Sequence, residues 1–477
     1  MWWDNAVIYQ VYLRSFQDSD GDGVGDLPGV LARLEHIAKL GAGAVWLSPV
    51  YPSPNYDFGY DVSDFSAVHP DFGTLDDLDA LITRAHELGL RVMLDFVPCH
   101  TSIEHPWFRE HPEYYVWAKE IPNNWRAAFG GPAWELDPQS NRYYLSSFFP
   151  EQADLDWHNP QLRAAMAGAL RFWAQRGIDG FRLDALDRIS KDAELRDEPP
   201  AAGPPPLPLD PADAELEHPF SRNAPGLEVP LKTIREAVGD ALLVGEVFLP
   251  TTELGPYLEW LDICFSFETM FAAGDGEALT EAITAALQNS RPGWVLSNHD
   301  FDRLATRAGP GNGRAATLLL LCLPGPAFIY QGDELGMGNG VPATPVQDRH
   351  GRDQLRMPMR WDESESAGFT TGTPWLSTGE AEVPSVSAQE RDPHSTLTLV
   401  RAAVTLRAEL DGPVAVESPA PGTVVVTRGD HVIAVNLSAE PQPGPPADGL
   451  ELEANPGDGR DLSVIPPHGG WIARRPR

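Results

Sequence analysis

At 477 residues, 42% of them hydrophobic, the chain suits one large domain with smaller attachments and can bury a sizeable core. Its 69 acidic side chains outnumber 35 basic ones, and the formal net charge of −34 repels phosphate backbones and anionic membranes, which argues against both as partners. The opening Met-Trp-Trp-Asp lacks the basic and apolar regions of a signal peptide, and the longest apolar run, Leu318 to Tyr330, is broken by Pro324 and Pro326. With the odd set Cys99, Cys264 and Cys322 all inside apolar segments, a cytoplasmic protein with reduced cysteines is expected.

In chain order, AVIYQVY (Ala6 to Tyr12) reads as a first strand. Residues 27–40 read as an amphipathic helix with Val30, Leu31, Leu34 and Ile37 on one face. AVWLSPV (Ala44 to Val50) is a second strand, Leu75 to Leu88 a helix capped by Thr74, and Arg91 to Val97 a third strand. Such alternation implies an α/β fold with a parallel sheet and right-handed crossovers. From His100 to about Trp157 the period fails, and aromatic clusters with a Gly-Gly-Pro turn mark an inserted subdomain. Helix Pro160 to Gln175 and a fourth strand from Gly180 follow, then a Pro-rich stretch, Pro199 to Pro211, that cannot be helical and reads as a mobile loop. Further strands are expected at Ala241–Phe248, Asp262–Phe267, Trp294–Ser297 and Ala327–Tyr330, closed by helix Thr396–Leu410. After Asp411, Val-rich runs such as GTVVVTRG and HVIAVNL predict a small antiparallel β domain.

Four of these strands end on ionisable groups. GFRLDALD places Arg182 and Asp184 two apart, on one side of a strand; RVMLDFVPCH closes with His100, ALLVGEVF carries Glu246, and GWVLSNHD ends with His299 and Asp300. One Arg–Asp pair is equally a structural ion pair. Four such strand ends are hard to obtain from core packing and read as one active site. DSDGDGVGD, Asp18 to Asp26, sets carboxylates at alternate positions with glycines between them, the pattern of a hard cation site, although an acidic solvated turn has the same composition. It matches the first half of an EF-hand, but position twelve is Gly29 rather than Glu.

The four segments, together with AVIYQVYLRSF, GRDQLRMPMRWD and GFTTGTPWL, resemble the α-amylase superfamily, glycoside hydrolase family 13, and most of all its exo-acting α-glucosidase and oligo-1,6-glucosidase branch. The resemblance implies a (β/α)8 TIM barrel (residues 1–100 and 158–410), a domain B inserted after strand three (101–157, closing on QADLDW) and a C-terminal antiparallel β-sandwich (411–477). It implies Asp184 as nucleophile, Glu246 as acid and then base, and Asp300 as transition-state stabiliser. Retaining glycoside hydrolysis needs such a carboxylate pair about 5 Å apart. Arg182 beside Asp184 is expected to keep it ionised, and Glu246, after an apolar strand, to keep its proton.

By the same resemblance His100 and His299 hydrogen-bond a bound glucose, and Asp57 and Tyr60 of SPNYDFGYD form the floor and stacking wall of a blind pocket, where a packing Tyr in an ordinary turn is the plainer reading. Arg356 is expected to pair with Asp57, with Arg352 the lesser candidate; Phe129, Phe148 and Gln152 line the entrance. The aspartate loop becomes a structural calcium or magnesium site with Asp18, Asp20, Asp22 and Asp26 as side-chain ligands and Val24 through its carbonyl. Where the family has Asn before the strand-three histidine this chain has Cys99, which puts the second calcium site of α-amylases in doubt. Ala185, after the nucleophile, goes with α-1,4 preference in the family, where Val goes with α-1,6. The expected activity is hydrolysis of short α-glucosides by a monomer or homodimer. The alternatives are a glucosyl transferase or isomerase (trehalose synthase, sucrose isomerase) and an inactive scaffold relative, the last disfavoured by the intact carboxylates and the lack of a membrane helix.

Overall fold

Short apolar runs rich in Val, Leu, Ile and aromatic residues form eight parallel strands: Val7–Val11, Ala44–Leu47, Arg91–Phe96, Gly180–Leu183, Leu242–Gly245, Ile263–Phe265, Pro292–Val295 and Ala327–Tyr330, here barrel strands one to eight. In the computed structural model they close a barrel in sequence order, strand eight returning to strand one. Every strand residue except Arg91 is buried, as covering by crossover helices on a parallel sheet requires. The structure describes residues 1–209, 213–378, 383–446, 449–454 and 461–475.

Local signals set the helices. Asp26 caps helix Leu27–Leu40 by accepting from Gly29 N, and Gly41 ends it at φ 87°. Thr74 and Asp77 cap helix Leu75–Glu87 reciprocally, Thr74 N donating to the Asp77 carboxylate (2.8 Å) and Asp77 N to Thr74 Oγ1 (3.2 Å). Asn159 caps helix Pro160–Gln175. Strand seven ends at Val295 rather than Ser297, strand five at Gly245 and strand six at Phe265. Past strand six the run enters helix Phe267–Ala272, and past strands five and seven it continues as buried Val247 and Leu296 outside the ladder.

The chain divides into two compact units, Met1–Trp46 with Thr83–Arg91 and Ser266–Arg477, and Leu47–Ile82 with Val92–Phe265. In the second unit Asp95 of strand three pairs in register with Arg182 of strand four, and Gly245 of strand five with Leu183. The segment predicted as an insert carries an antiparallel pair, His100–Ser102 with Gln152–Asp154, and a three-stranded sheet of Trp117–Ala118, Arg142–Leu145 and Trp134–Asp137. Trp125, Ala133, Trp134 and Leu145 form a separate small core. The Pro-rich stretch holds no helix over residues 199–209, and its remaining residues 210–211 lie outside the described residues. Asp213, just beyond, is tied to Arg188 at 2.9 Å. In the first unit strands one, eight and seven pair in register, and a five-stranded antiparallel sheet of Val414–Glu417, Thr423–Arg428, His431–Asn436, Gly469–Arg474 and Glu451–Ala454 packs Val425, Ala434 and Trp471 into its own core.

Candidate active site

In the second unit the strand-three, strand-four and strand-five ends converge on one guanidinium. Arg182 is fully buried; its Nη1 lies 2.7 Å from Asp95 Oδ1 and 2.7 Å from Asp184 Oδ1, and its Nη2 2.6 Å from Glu246 Oε2. The ladder puts them there: Asp184 N donates to Phe96 O and Glu246 N to Leu183 O, each at 3.0 Å, so the two carboxylates sit one step beyond paired residues of adjacent strands. Gly245 beside Glu246 sits in tight packing: a Cβ there would come within 2.6 Å of Leu261 Cδ1 and make that side chain shift. Asp184 and Glu246 retain side-chain exposures of 11% and 14%, whereas Asp95 and Arg182 have none, so the first two can meet a ligand. Arg182 stands beside Asp184 as expected, and Glu246 shares it. Asp95, absent from the sequence reading, is pushed up to about 6 by burial, against the pull of Arg182. A charge inside the apolar run RVMLDF was its signal.

The loop after strand two is tied by another unanticipated acid. Asp61 accepts from Ser53 Oγ (2.6 Å), Asp57 N (2.9 Å) and Tyr56 N (2.9 Å), and burial raises it to about 6. Asp57 accepts from Gln152 Nε2 at 3.0 Å; Gln152 also lies 3.0 Å from His100 Nε2. Gln152 is fully buried, so it underpins Asp57 and His100 rather than lining an entrance. Tyr60 donates from its hydroxyl to Asp95 (2.9 Å), and its carbonyl lies 3.0 Å from His100 Nε2. Burial lowers the pKa of His100 and keeps the ring neutral. Phe148, half-buried, packs against His100 (5.1 Å between ring centres) and against half-buried Phe129 (5.5 Å).

Asp184 is followed by Ala185 in the left-handed region, φ 47°, ψ 41°. Ala185 N donates to Glu246 Oε2 at 3.0 Å, and Cys99 Sγ lies 3.0 Å from Ala185 O. Asp154, next to Gln152, accepts from Ser147 and pairs with the buried Lys191 ammonium at 2.8 Å.

In the first unit His299 is fully buried, with Nδ1 2.9 Å from Gln10 Nε2 and Nε2 3.1 Å from Asp300 Oδ2; it stacks on Tyr12. Asn298 turns the chain by accepting from Asp300 N at 2.9 Å. Asp300 Oδ1 receives Arg352 Nη1 at 2.8 Å and Arg356 Nη2 at 3.2 Å. Arg356, expected as Asp57's partner, also donates Nε to His299 O at 2.9 Å, and Arg352, the lesser candidate, makes the shorter contact with Asp300. Asp348, missed in the sequence, holds Arg352 through two bonds of 2.9 Å. Burial opposes its charge, but Arg352 and Arg356 hold it at about 2. Only its i, i+4 spacing from Arg352 marked it.

The aspartate loop of the same unit brings side-chain oxygens of Asp18, Asp20 and Asp22 within 4.8 Å of one another. Asp18 also accepts from Gly21 N and Gly23 N (2.8 Å each), and Asp22 from Val24 N (2.7 Å). Asp26 is occupied as the helix cap and by Ser19, outside that cluster.

A family model described as alpha amylase, catalytic domain, matches residues 10–412. The chain is similar to a probable alpha-glucosidase of Rhizobium meliloti (strain 1021), 41% identical over 448 residues, 83% of this chain and 80% of that protein. It is also similar to an oligo-1,6-glucosidase of Parageobacillus thermoglucosidasius, 34% identical over 86% of this chain and 84% of that one. The crystal structure of an alpha-glucosyl transfer enzyme, XgtA, superposes with a TM-score of 0.93 at 36% identity, covering 100% of this chain and 99% of that chain. On the strength of that coverage, and of carboxylates standing at the ends of neighbouring barrel strands, the chain belongs to the α-amylase family, glycoside hydrolase family 13, in its exo-acting α-glucosidase branch.

Proposed function

We propose that this enzyme is a retaining α-glucosidase that removes glucose from the non-reducing end of short α-glucosides, α-1,4-linked ones in preference. The observation that carries the reading is the guanidinium of Arg182, 2.7 Å from Asp184 Oδ1 and 2.6 Å from Glu246 Oε2, which gathers on one side chain the two carboxylates that a retaining mechanism needs close together. Asp184 attacks the anomeric carbon as Glu246 protonates the departing glycosidic oxygen, so that the C–O bond to the leaving sugar breaks while a glucosyl ester forms on Asp184. Glu246, now ionised, takes a proton from water, and the resulting attack releases glucose and restores both side chains. Asp300, Asp57, His100 and His299 hold sugar hydroxyls, Tyr60 stacks on the ring, Arg356 orients Asp300, and Phe129 and Phe148 border the aglycone path. Ala185 borders the aglycone, and Gln152 fixes Asp57 and His100. Calcium, or magnesium in its place, fits the oxygen-only donor set of Asp18, Asp20 and Asp22, with Val24 O as the expected backbone ligand and Asp26 left to cap the helix; it would brace the loop and take no part in bond breaking.

A second reading is supported by the similarity to a transfer enzyme: a sugar hydroxyl replaces water in the second half-reaction. Maltose, isomaltose, trehalose and sucrose, each digested with full product analysis, decide between them. Glucose from maltose as the main product supports hydrolysis, accumulating oligosaccharides or isomers support transfer, and no turnover of any of the four overturns the reading. Among the described residues no helix is long and apolar enough to cross a membrane. Cytoplasmic residence as a monomer or homodimer belongs to the same proposal, supported by three buried cysteines that form no disulfide.

A further inference from the structure

The residue before His100 departs from the family pattern, and its surroundings give it a task. Cys99 is 1% exposed, and burial pushes its thiol well above the ordinary range, so it is a neutral S–H able to donate. Its Sγ lies 3.0 Å from the carbonyl oxygen of Ala185. A left-handed alanine persists only where its surroundings hold it. Here Arg188 N donates to the same carbonyl at 3.0 Å, Ala185 N donates to Glu246 Oε2 at 3.0 Å, and Leu186 N donates to Glu246 O at 2.9 Å. One peptide turn therefore joins the Asp184 strand to the Glu246 side chain, and Cys99 grips it from below.

We propose that Cys99 is a positioning residue of the reaction: its thiol pins the Ala185 carbonyl and so keeps the turn in which the Ala185 N–H meets the Glu246 carboxylate. This rests on the assignment of Asp184 and Glu246 made above. Within its unit Glu246 faces Arg182 at 2.6 Å, and through that guanidinium Asp184 and Asp95. The Ala185 N–H adds to Arg182 in favouring ionised Glu246, so its loss leaves the acid protonated to higher pH.

The test compares wild type with Cys99→Ala, Cys99→Val, which fills the space without a donor, and Cys99→Ser, which keeps one, on p-nitrophenyl α-glucoside across pH. Cys322→Ala, at the end of helix Pro310–Cys322, controls for the loss of a buried thiol. Both donorless variants should lose about tenfold in kcat with little change in KM, the worth of one hydrogen bond. They should also move the alkaline limb of kcat/KM upward, while Cys99→Ser returns toward wild type and Cys322→Ala leaves both unmoved. Should Cys99→Ala fail to fold, Cys99→Val against Cys99→Ser carries the comparison. An unmoved limb and kcat in a folded donorless variant, with only a lower melting temperature, overturns the positioning role while leaving the glucosidase reading intact. A wild type inactive on every α-glucoside overturns both.

Discussion

Arg182→Met removes the one cation that Asp95, Asp184 and Glu246 contact together, at 2.7, 2.7 and 2.6 Å. Two like charges about 5 Å apart repel by roughly 3 kcal/mol at an effective dielectric of about 20, so three carboxylates cannot all stay ionised in the emptied site. Truncating one partner of a buried ion pair costs about 3–5 kcal/mol. For a chain of 477 residues unfolding as one unit, about 2.1 cal/mol/K per residue gives an unfolding entropy near 1 kcal/mol/K, and a melting temperature lower by roughly 3–5 °C. The pH dependence has a definite sign. Asp95 stands at about 6 even with Arg182 in place, and losing the cation raises folded-state carboxyl pKa values further. A raised acid contributes stability that is present below its unfolded pKa and lost as pH rises through the folded value. The deficit of the variant should therefore be small near pH 4 and full by pH 7. Calorimetry at both pH values, with kcat/KM on p-nitrophenyl α-glucoside, reads both effects, and turnover should fall at least about a thousandfold because nucleophile and acid lose their common anchor. A variant that melts like wild type at pH 7 and keeps turnover within tenfold refutes the reasoning.

Asp184→Asn and Glu246→Gln should each lower turnover by at least about a thousandfold while the folded state survives, since one removes covalent catalysis and the other protonation; near-normal activity in either folded variant sinks the assignment. Excess EDTA, added to metal-loaded enzyme, should lower the melting temperature without direct inhibition, because an ion held by Asp18, Asp20 and Asp22 binds only the folded loop; an unchanged melting curve counts against the ion. Ala185→Val should shift the maltose to isomaltose ratio toward isomaltose by about 1–3 kcal/mol of discrimination at most, and should also lower the melting temperature, because a β-branched residue is strained at φ 47°. Equal loss on both sugars, or a wild type that already prefers isomaltose, defeats the linkage argument.

The barrel was legible because its strands are continuous apolar runs punctuated by helical periods, and the candidate acids because each follows such a run: Asp184 after GFRL, Glu246 after LLVG, His299 and Asp300 after the strand at Trp294. What the sequence hid was partnership. Asp95 lies inside a strand, where a charge looks like a flaw in the pattern rather than half of an ion pair with Arg182 on the neighbouring strand. Gln152 was placed at the entrance by resemblance, yet pairing of Gln152–Asp154 with His100–Ser102 buries it and lets it donate to Asp57. Asp348 sits in aperiodic chain, and nothing short of the fold reveals that two arginines converge on it and Asp300 together.

Those partnerships divide the carboxylates by their supply of positive charge. In the first unit Arg352 and Arg356 both reach Asp300 and Asp348, and Asp348 stays near 2 despite its burial. Asp348, so provided, remains ionised through neutral pH and fixes the two arginines that hold Asp300, the group proposed to face an oxocarbenium-like charge. In the second unit one guanidinium serves Asp95, Asp184 and Glu246, so their protonation is coupled, and a proton added to one relieves the other two. That coupling is what a double displacement requires. In the proposed reaction, once Asp184 is consumed as an ester its charge disappears, and Arg182 is left to favour ionised Glu246 when that side chain acts as base.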